Sequence, residues 1–253
     1  WSSDVCSSDL VVAARGAFGG WSSKTAFNRG QILYRIAEMM EGRKMQFVDE
    51  LMVQGISKSN AVKEVQTSID RMVYYSGWCD KFQQCFSAVN PVSSSHFNFS
   101  VPEPMGVVAA ISGNSSSLLG LISIIAPVIA GGNTIVVLAS EKYPLCGVTF
   151  AEVLATSDLP GGVVNILTGK SSEIHSHMAS HMDVNALLYC GDDKAEIKTI
   201  SELAALNVKR VFVRSEKKLE KDEHENPYYI MDFQEIKTTW HPIERVGGGS
   251  GNY

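Results

Sequence analysis

Charge is scarce in this chain of 253 residues. Only 19% of its residues are charged, and 22 Lys and Arg against 27 Asp and Glu leave a net charge of −5. Such a chain has no basic field to attract nucleic acid or an anionic membrane surface, so neither is expected as its main partner. Cysteine is also sparse: the five, Cys6, Cys79, Cys85, Cys146 and Cys190, are odd in number and contain no Cys-x-x-Cys pair. That excludes a disulfide scaffold and fits a reducing compartment, read here as the cytoplasm. With 8 Pro and 21 Gly the chain is neither collagen-like nor of low complexity.

One stretch lacks charge altogether, from Pro104 to Ser140. It is long enough to suggest a membrane span, but Pro127 interrupts it, and Gly131-Gly132-Asn133 is a helix stop followed by the β-branched run Thr134-Ile135-Val136-Val137. The segment reads instead as strand (106–111), helix (116–130) and strand (134–138), all buried. The rhythm continues through a helix at 145–155, a strand at 163–167, a helix at 172–180, a strand at 186–190, a helix at 194–206 and a strand at 208–213. Short apolar strands alternating with helices specify an α/β fold, a Rossmann-like doubly wound parallel sheet covered on both faces.

Upstream, helical periodicity predicts three N-terminal helices at 26–42, 45–53 and 61–86, with Ile32, Leu33, Ile36, Met39 and Met40 on one apolar face and Val62, Val65, Ile69, Met72 and Val73 on another. The alternating segment 96–101 reads as a half-exposed strand within an arm at 88–103 of the kind used in oligomers. Eight of the ten residues from Glu216 to Glu225 are charged, which predicts a solvated loop. Beyond it, 228–240 alternates like a strand. The first ten residues, WSSDVCSSDL, repeat a Ser-Ser-Asp unit and look like a translated sequencing adapter. They are set aside from the fold, and the chain is expected to be a piece of a longer protein.

Several motifs, in order, resemble the aldehyde dehydrogenase superfamily. They are Arg29-Gly-Gln-Ile-Leu-Tyr-Arg-Ile-Ala-Glu38, Ser68-Ile-Asp-Arg-Met-Val-Tyr-Tyr-Ser-Gly-Trp-Cys-Asp-Lys81, Glu103-Pro-Met-Gly-Val-Val108, Ala126-Pro-Val-Ile-Ala-Gly-Gly-Asn-Thr-Ile-Val-Val137, Leu159-Pro-Gly-Gly-Val-Val-Asn165 with Thr168-Gly169, Ala179-Ser-His-Met-Asp-Val184, and the closing Phe233-Gln-Glu-Ile-Lys-Thr-Thr-Trp240. Within that superfamily the chain looks most like the shortened C-terminal copy of the two-copy members called family 16. Membership implies NAD(P)-dependent oxidation of an aldehyde to an acid, in which a Cys thiolate attacks, hydride passes to the nicotinamide and a Glu activates water.

The resemblance also shows what this chain lacks. The family's Pro-Trp-Asn-Phe-Pro segment falls on Gly113-Asn114-Ser115-Ser116-Ser117, so the side-chain oxyanion donor becomes Ser115, and the segment reads as a polar turn capping the next helix. Lys-Pro-Ser-Glu aligns with Leu138-Ala139-Ser140-Glu141, which loses the lysine and keeps Glu141 as an acceptor for a ribose hydroxyl. Gly-Ser-Thr becomes Gly191-Asp192-Asp193, where the two aspartates read as helix caps that repel phosphate. Ser115, Glu141 and Gly191 are therefore the candidate cofactor-binding residues, vestigial ones, with NAD the implied cofactor.

No Cys stands in a Gly-Gln-x-Cys setting, and the Glu-Leu-Gly-Gly-Lys motif is missing. No catalytic residue is assigned. Cys79, Cys85, Cys146 and Cys190 read as buried structural thiols, Cys190 with its pKa raised by the neighbouring aspartates. His175, His177 and His181 read as surface residues rather than metal ligands, although His177 and His181 would share a helical face.

The expected segmentation is an artefact tail at 1–10, a cofactor-type α/β domain at 11–214, a charged loop at 215–226 where the catalytic domain would stand, a closing strand at 227–243 and a flexible tail at 244–253. The expected role is a non-catalytic assembly or stability module. Phe97, Phe99, Val101, Phe233, Ile236 and Trp240 would touch another copy of the fold within the parent chain or a homodimer partner. The rival expectation is the NAD-binding half of an active dehydrogenase completed by another domain.

Overall fold

Short β-branched runs bounded by glycine turns, with helices between them, give the chain its order of elements. The computed structural model describes residues 3–243, and their side chains from residue 8 onward. Helices α1 (Ser3–Ser22), α2 (Ala26–Gly42), α3 (Lys44–Val53), α4 (Lys58–Ser76) and α5 (Phe82–Phe86) precede strands β1 (Ala88–Asn90) and β2 (His96–Pro104). The alternating region follows as β3 (Val107–Ile111), α6 (Leu118–Ala130), β4 (Thr134–Leu138), α7 (Leu145–Ala155), β5 (Val164–Leu167), α8 (Ser171–Ser180), β6 (Ala186–Tyr189), α9 (Lys194–Ala205) and β7 (Arg210–Val213). A 3₁₀ turn (Asp222–His224), helix α10 (Tyr228–Met231) and strand β8 (Gln234–Pro242) complete the described chain.

The five alternating strands form one parallel sheet in the order β5-β4-β3-β6-β7, as the expected doubly wound fold requires. Successive side chains of a strand point to opposite faces, and the two cores separate accordingly. Val107, Ala109, Val136 and Leu187 pack with Val11 and Ala14 of α1, Met178 of α8 and Ile200 of α9. Val108, Ala110, Ile135, Val137 and Leu188 face the opposite way, into a core built from α2, α3, α4, α6 and α7.

Helix α6 lies at the middle of that second core, and all thirteen of its residues are buried. Each buried Leu or Ile side chain stabilises by about 1.5–3 kcal/mol, but a helix sunk this deep takes its unpaired end groups away from water. Other helices supply the partners. Glu64 of α4 accepts hydrogen bonds at Oε1 from the N–H groups of Ser117 (3.0 Å), Leu118 (2.9 Å) and Leu119 (3.3 Å) and from Ser116 Oγ (2.9 Å). At the other end Arg29 of α2 donates from Nε to the Ala130 carbonyl (3.3 Å). An anion at the N-terminus and a cation at the C-terminus are the signs that the helix dipole favours.

Several expectations change. Helix α1 begins at Ser3, inside the segment set aside as a tail, and buries Val11, Ala14 and Trp21; the Trp21 indole donates to the Ile129 carbonyl (3.1 Å). Its backbone runs so close to Gly162 that a Cβ there would press on the Ala13 carbonyl, and Gly162 also holds a left-handed φ of 85°. The single helix expected at 61–86 breaks at Gly77, the C-cap of α4. The strand expected from 228 starts only at Gln234, because the turn entered through Pro227 is helical and buries Ile230. The loop expected to be solvated buries Glu216 and Leu219. Among the described residues no helix is long and apolar enough to cross a membrane. The tail expected at 244–253 lies outside the described residues.

The two strands expected to seek pairing pair with each other. Strand β2 runs antiparallel between β1 and β8, from His96 opposite Pro242 to Pro104 opposite Gln234. This register divides the six expected contact residues. Phe97, Phe99 and Val101 face one side, whereas Ile236 and Trp240 stand opposite Pro102 and Asn98 and therefore face the other. Phe233 belongs to neither face: it is fully buried in the core, edge-on to Phe212 at 5.3 Å. A residue on the first turn-in of a closing strand is drawn inward by the apolar area it can bury, so its place in the contact set is corrected.

Removing the cap of α6 tests how far the fold depends on it. Glu64→Ala leaves three helix N–H groups without an acceptor and is expected to destabilise the protein by about 2–3 kcal/mol in urea unfolding, whereas Glu64→Gln, which keeps an acceptor, is expected to cost about 1 kcal/mol.

Candidate cofactor cleft

At a doubly wound sheet, ligands bind beyond the C-terminal strand ends where the chain reverses its winding direction. Here that point lies between β3 and β6, which are neighbours although β3 leads outward to β4 and β6 to β7. A cleft of about 490 Å³ opens there, lined by residues that follow β3 (Ser112 to Ser115), β6 (Cys190 to Asp193) and β7 (Ser215 to Lys217), together with Glu141, Ser171 and Glu196. All three candidate cofactor residues, Ser115, Glu141 and Gly191, line this one cleft.

Each of the three is already engaged. Glu141 accepts the Ser171 N–H at Oε2 (3.1 Å), tying the β4 exit to the start of α8. Ser115 donates from Oγ to Glu216 Oε2 (2.8 Å), and its N–H reaches the same oxygen (3.3 Å). The other carboxylate oxygen, Oε1, accepts the Gly113 N–H (2.8 Å), so the turn at 113–115 is filled by a carboxylate from the chain itself. A Cβ on Gly113 would collide with that carboxylate and with the Cys190 carbonyl. Gly191 has a comparable role: the Tyr189 ring folds over it, leaving no room for a Cβ. The Tyr189 hydroxyl donates to Glu196 Oε2 (2.7 Å), which also accepts from Ser171 Oγ (3.0 Å).

Three helix N-termini face or flank the cleft, and all are met from within: Glu141 holds the first N–H of α8, that of Ser171, and the other two are capped. Glu64 caps α6, and Asp193 caps α9 by accepting the N–H groups of Ala195 (2.7 Å) and Glu196 (3.2 Å). Asp193 thus acts as expected. Asp192 does not cap and instead pairs with Lys217 (3.3 Å). The polar turn 113–117 caps α6 only through Ser116, whose Oγ accepts the Gly120 N–H (2.9 Å); Asn114 binds sideways, accepting from Ser140 Oγ and the Lys142 N–H, both at 3.0 Å. In all, Glu141, Asp192, Asp193, Glu196 and Glu216 line the cleft against the single cation Lys217.

Burial shifts the groups at its floor. It raises the Glu216 carboxyl above its ordinary range, with the Glu64 charge adding to the shift and the Ser115 and Gly113 donors opposing it. The Cys190 thiol is raised chiefly by burial and then by the Glu216 charge, so the cause expected from the adjacent aspartates is corrected. Burial also pushes the Cys79 and Cys146 thiols up to about 12. Cys85 is exposed in α5, contrary to the expectation that it is buried. His181 lies past the end of α8, where its Nε2 meets Ser8 Oγ (3.2 Å), so it does not share a helical face with His177.

Sequence reasoning missed Glu64, Glu216 and Tyr189. Glu216 and Tyr189 sit at or just after the C-terminal ends of parallel strands, a position where side chains reach the ligand crevice, and that was the available signal. Nothing in the local sequence marks Glu64, which acts across 52 residues on Ser116.

A five-stranded, doubly wound sheet with its cleft at the winding reversal is a dinucleotide-binding type of α/β domain. The chain belongs to the aldehyde dehydrogenase family: the family model described as "Aldehyde dehydrogenase family" matches residues 5–216. Cytosolic 10-formyltetrahydrofolate dehydrogenase of Pongo abelii is 32% identical over 206 residues, covering 79% of this chain and 23% of that protein. Among solved structures, PnpE from Pseudomonas sp. WBC-3 superposes with a TM-score of 0.76 at 29% identity, over 81% of this chain and 42% of PnpE. An aldehyde dehydrogenase from Bacillus cereus in complex with NAD+ gives 0.76 at 26% identity, over the same two shares. The chain thus spans less than half the length of these relatives.

Two measurements check the electrostatics. Because the folded Glu216 carboxyl holds its proton more tightly than the unfolded one, its contribution is fully present below the ordinary Glu range and is lost as pH rises through the raised value. A stability profile by urea unfolding from pH 4 to 8 is expected to carry that decline in the wild type and to be flatter in Glu216→Gln. With Cys6 replaced by Ser, native thiol labelling followed by peptide mapping is expected to modify Cys85 rapidly and Cys79, Cys146 and Cys190 only after unfolding.

Proposed function

We propose that this chain is a non-catalytic member of the aldehyde dehydrogenase family, an assembly and stability module within a two-copy protein of the family 16 type. The observation that carries the reading is the state of the cleft. The donors that a dinucleotide's diphosphate would need are spent on Glu216, Glu64 and Asp193, and the remaining lining is acidic. The residues present do not fit that diphosphate. Nor does the cleft hold a usable nucleophile, since Cys190 is buried beside a carboxylate that disfavours its thiolate.

The assembly part of the proposal rests on the closing sheet. Strand β8 presents its outer edge and the exposed side chains Ile236 and Trp240, with Phe97 exposed on the other face. Another copy of the fold, in the parent chain or in a homodimer, is the partner proposed for this edge. Aldehyde oxidation would then belong to the other copy.

A second reading, the NAD-binding half of a dehydrogenase completed elsewhere, is favoured by Glu141, which stands exposed at the cleft mouth, and by the NAD+ complexes of the Bacillus cereus enzyme and PnpE. Calorimetric titration of the chain with NAD+ separates the two. No saturable heat up to about 1 mM NAD+ is expected, and a Kd below about 100 μM would overturn the module reading in favour of the second.

A further inference from the structure

The segment 215–226 follows β7, lines the cleft with Ser215, Glu216 and Lys217, and makes no strand pairing. Its only buried side chains are Glu216 and Leu219. Leu219 is anchored through its carbonyl, which accepts from the buried Arg71 guanidinium (2.6 Å). Further on, the Tyr74 hydroxyl donates to the Glu225 carbonyl (2.9 Å) and the Tyr75 hydroxyl to that of Asn226 (3.2 Å). Between the two buried residues, Lys218 adopts a left-handed φ of 60°, a conformation that costs free energy in a residue other than glycine. The segment is therefore held at a few separate points, and its first point is a carboxylate seated on three donors.

Those donors form a receptor in their own right. The Gly113 N–H meets one carboxylate oxygen, and the Ser115 N–H and hydroxyl meet the other. Glu216 also lines, with Ser115 and Lys217, both the main cleft and a second cavity of about 380 Å³ that Lys63 and Leu219 border. We propose that 215–226 is a displaceable strap and that Glu216 is the chain's own competitor for an external carboxylate at the 113–115 turn. The ligand class follows from the surroundings. Two oxygens on three donors suit a planar carboxylate, and the neighbouring Glu64 together with the acidic cleft disfavours a dianion such as phosphate. All three donors belong to the turn and none to the strap, so the seat remains for another carboxylate when Glu216 withdraws.

The test is chemical rescue of full-length Glu216→Ala, followed by thermal unfolding at pH 7.5 and constant ionic strength with formate or chloride. The variant is expected to melt below wild type and to regain stability saturably with formate in the millimolar range. The half-effect concentration should lie at least tenfold below that of any formate effect on wild type, and adding Ser115→Ala, which removes one of the three donors, should raise it at least tenfold. Equal formate effects on wild type and variant, or a half-effect concentration unmoved by Ser115→Ala, would overturn the proposal. Phosphate is expected to be at least tenfold weaker than formate, and the reverse order would overturn the carboxylate assignment.

If Glu216→Ala does not fold, Leu219→Ala loosens the strap while keeping Glu216. Amide exchange at Gly113 and Ser115 should then quicken selectively and slow again with formate, and unchanged exchange would overturn the strap. Failure of these tests leaves the non-catalytic reading standing, because that reading falls only to NAD+ binding by the wild type.

Discussion

A fully buried helix must find partners for its ends, and in this protein that requirement organises the rest. Helix α6 has no exposed residue, so water cannot satisfy its first N–H groups or its last carbonyls. Glu64 from α4 and Arg29 from α2 reach in to do so. Two of the N-terminal helices are thereby joined to the sheet domain by buried polar contacts as well as by apolar packing. The buried Asn133 plays a related part beside the C-terminal end of α6: it accepts the Gly106 N–H (3.0 Å) and donates to the Phe233 carbonyl (2.9 Å), linking the start of β3 to the closing segment.

The same logic extends into the cleft. A doubly wound sheet gathers helix N-termini and glycine turns at one edge, and these groups bind anions whatever the anion's source. Here the sources are internal: Glu64, Asp193 and Glu216 each bring a carboxylate to N–H groups that would otherwise be free. Two glycines at this edge make room for neighbours within the chain, Gly113 for Glu216 and Gly191 for the Tyr189 ring. The family's architecture persists while the groups at its ligand-binding edge are directed inward.

Most of the fold was legible in the sequence because it rests on local pattern. Uncharged, β-branched runs such as 134–138 and the glycine stops after α6 can be read without knowledge of distant residues, and the five strands and the helices between them stand where the pattern puts them, within a few residues. Errors fell where a local pattern was ambiguous. The charged run 216–225 reads as solvated by composition, yet two of its residues are buried. The alternation from 228 onward matches a strand until Pro227 and the burial of Ile230 favour a helical turn. Helix α1 was missed as a whole: its start lies in a repeat that looked foreign to the fold, and no helix was expected before residue 26.

The candidate site was legible in location but not in occupancy. Motif order alone brought Ser115, Glu141 and Gly191 to one cleft, since each follows or ends near a parallel strand and parallel strands share one C-terminal edge. By itself the sequence determined the sheet, its cleft and the family. Only the tertiary structure decided that Glu64 and Glu216, 53–55 and 101–103 residues from the amides they hold, fill the anion seats, and that the six expected contact residues divide between two faces and the core. Strand and helix periodicity are carried by neighbours in sequence, whereas a buried N–H group donates to whichever acceptor the packing brings within reach, and no local pattern encodes that choice.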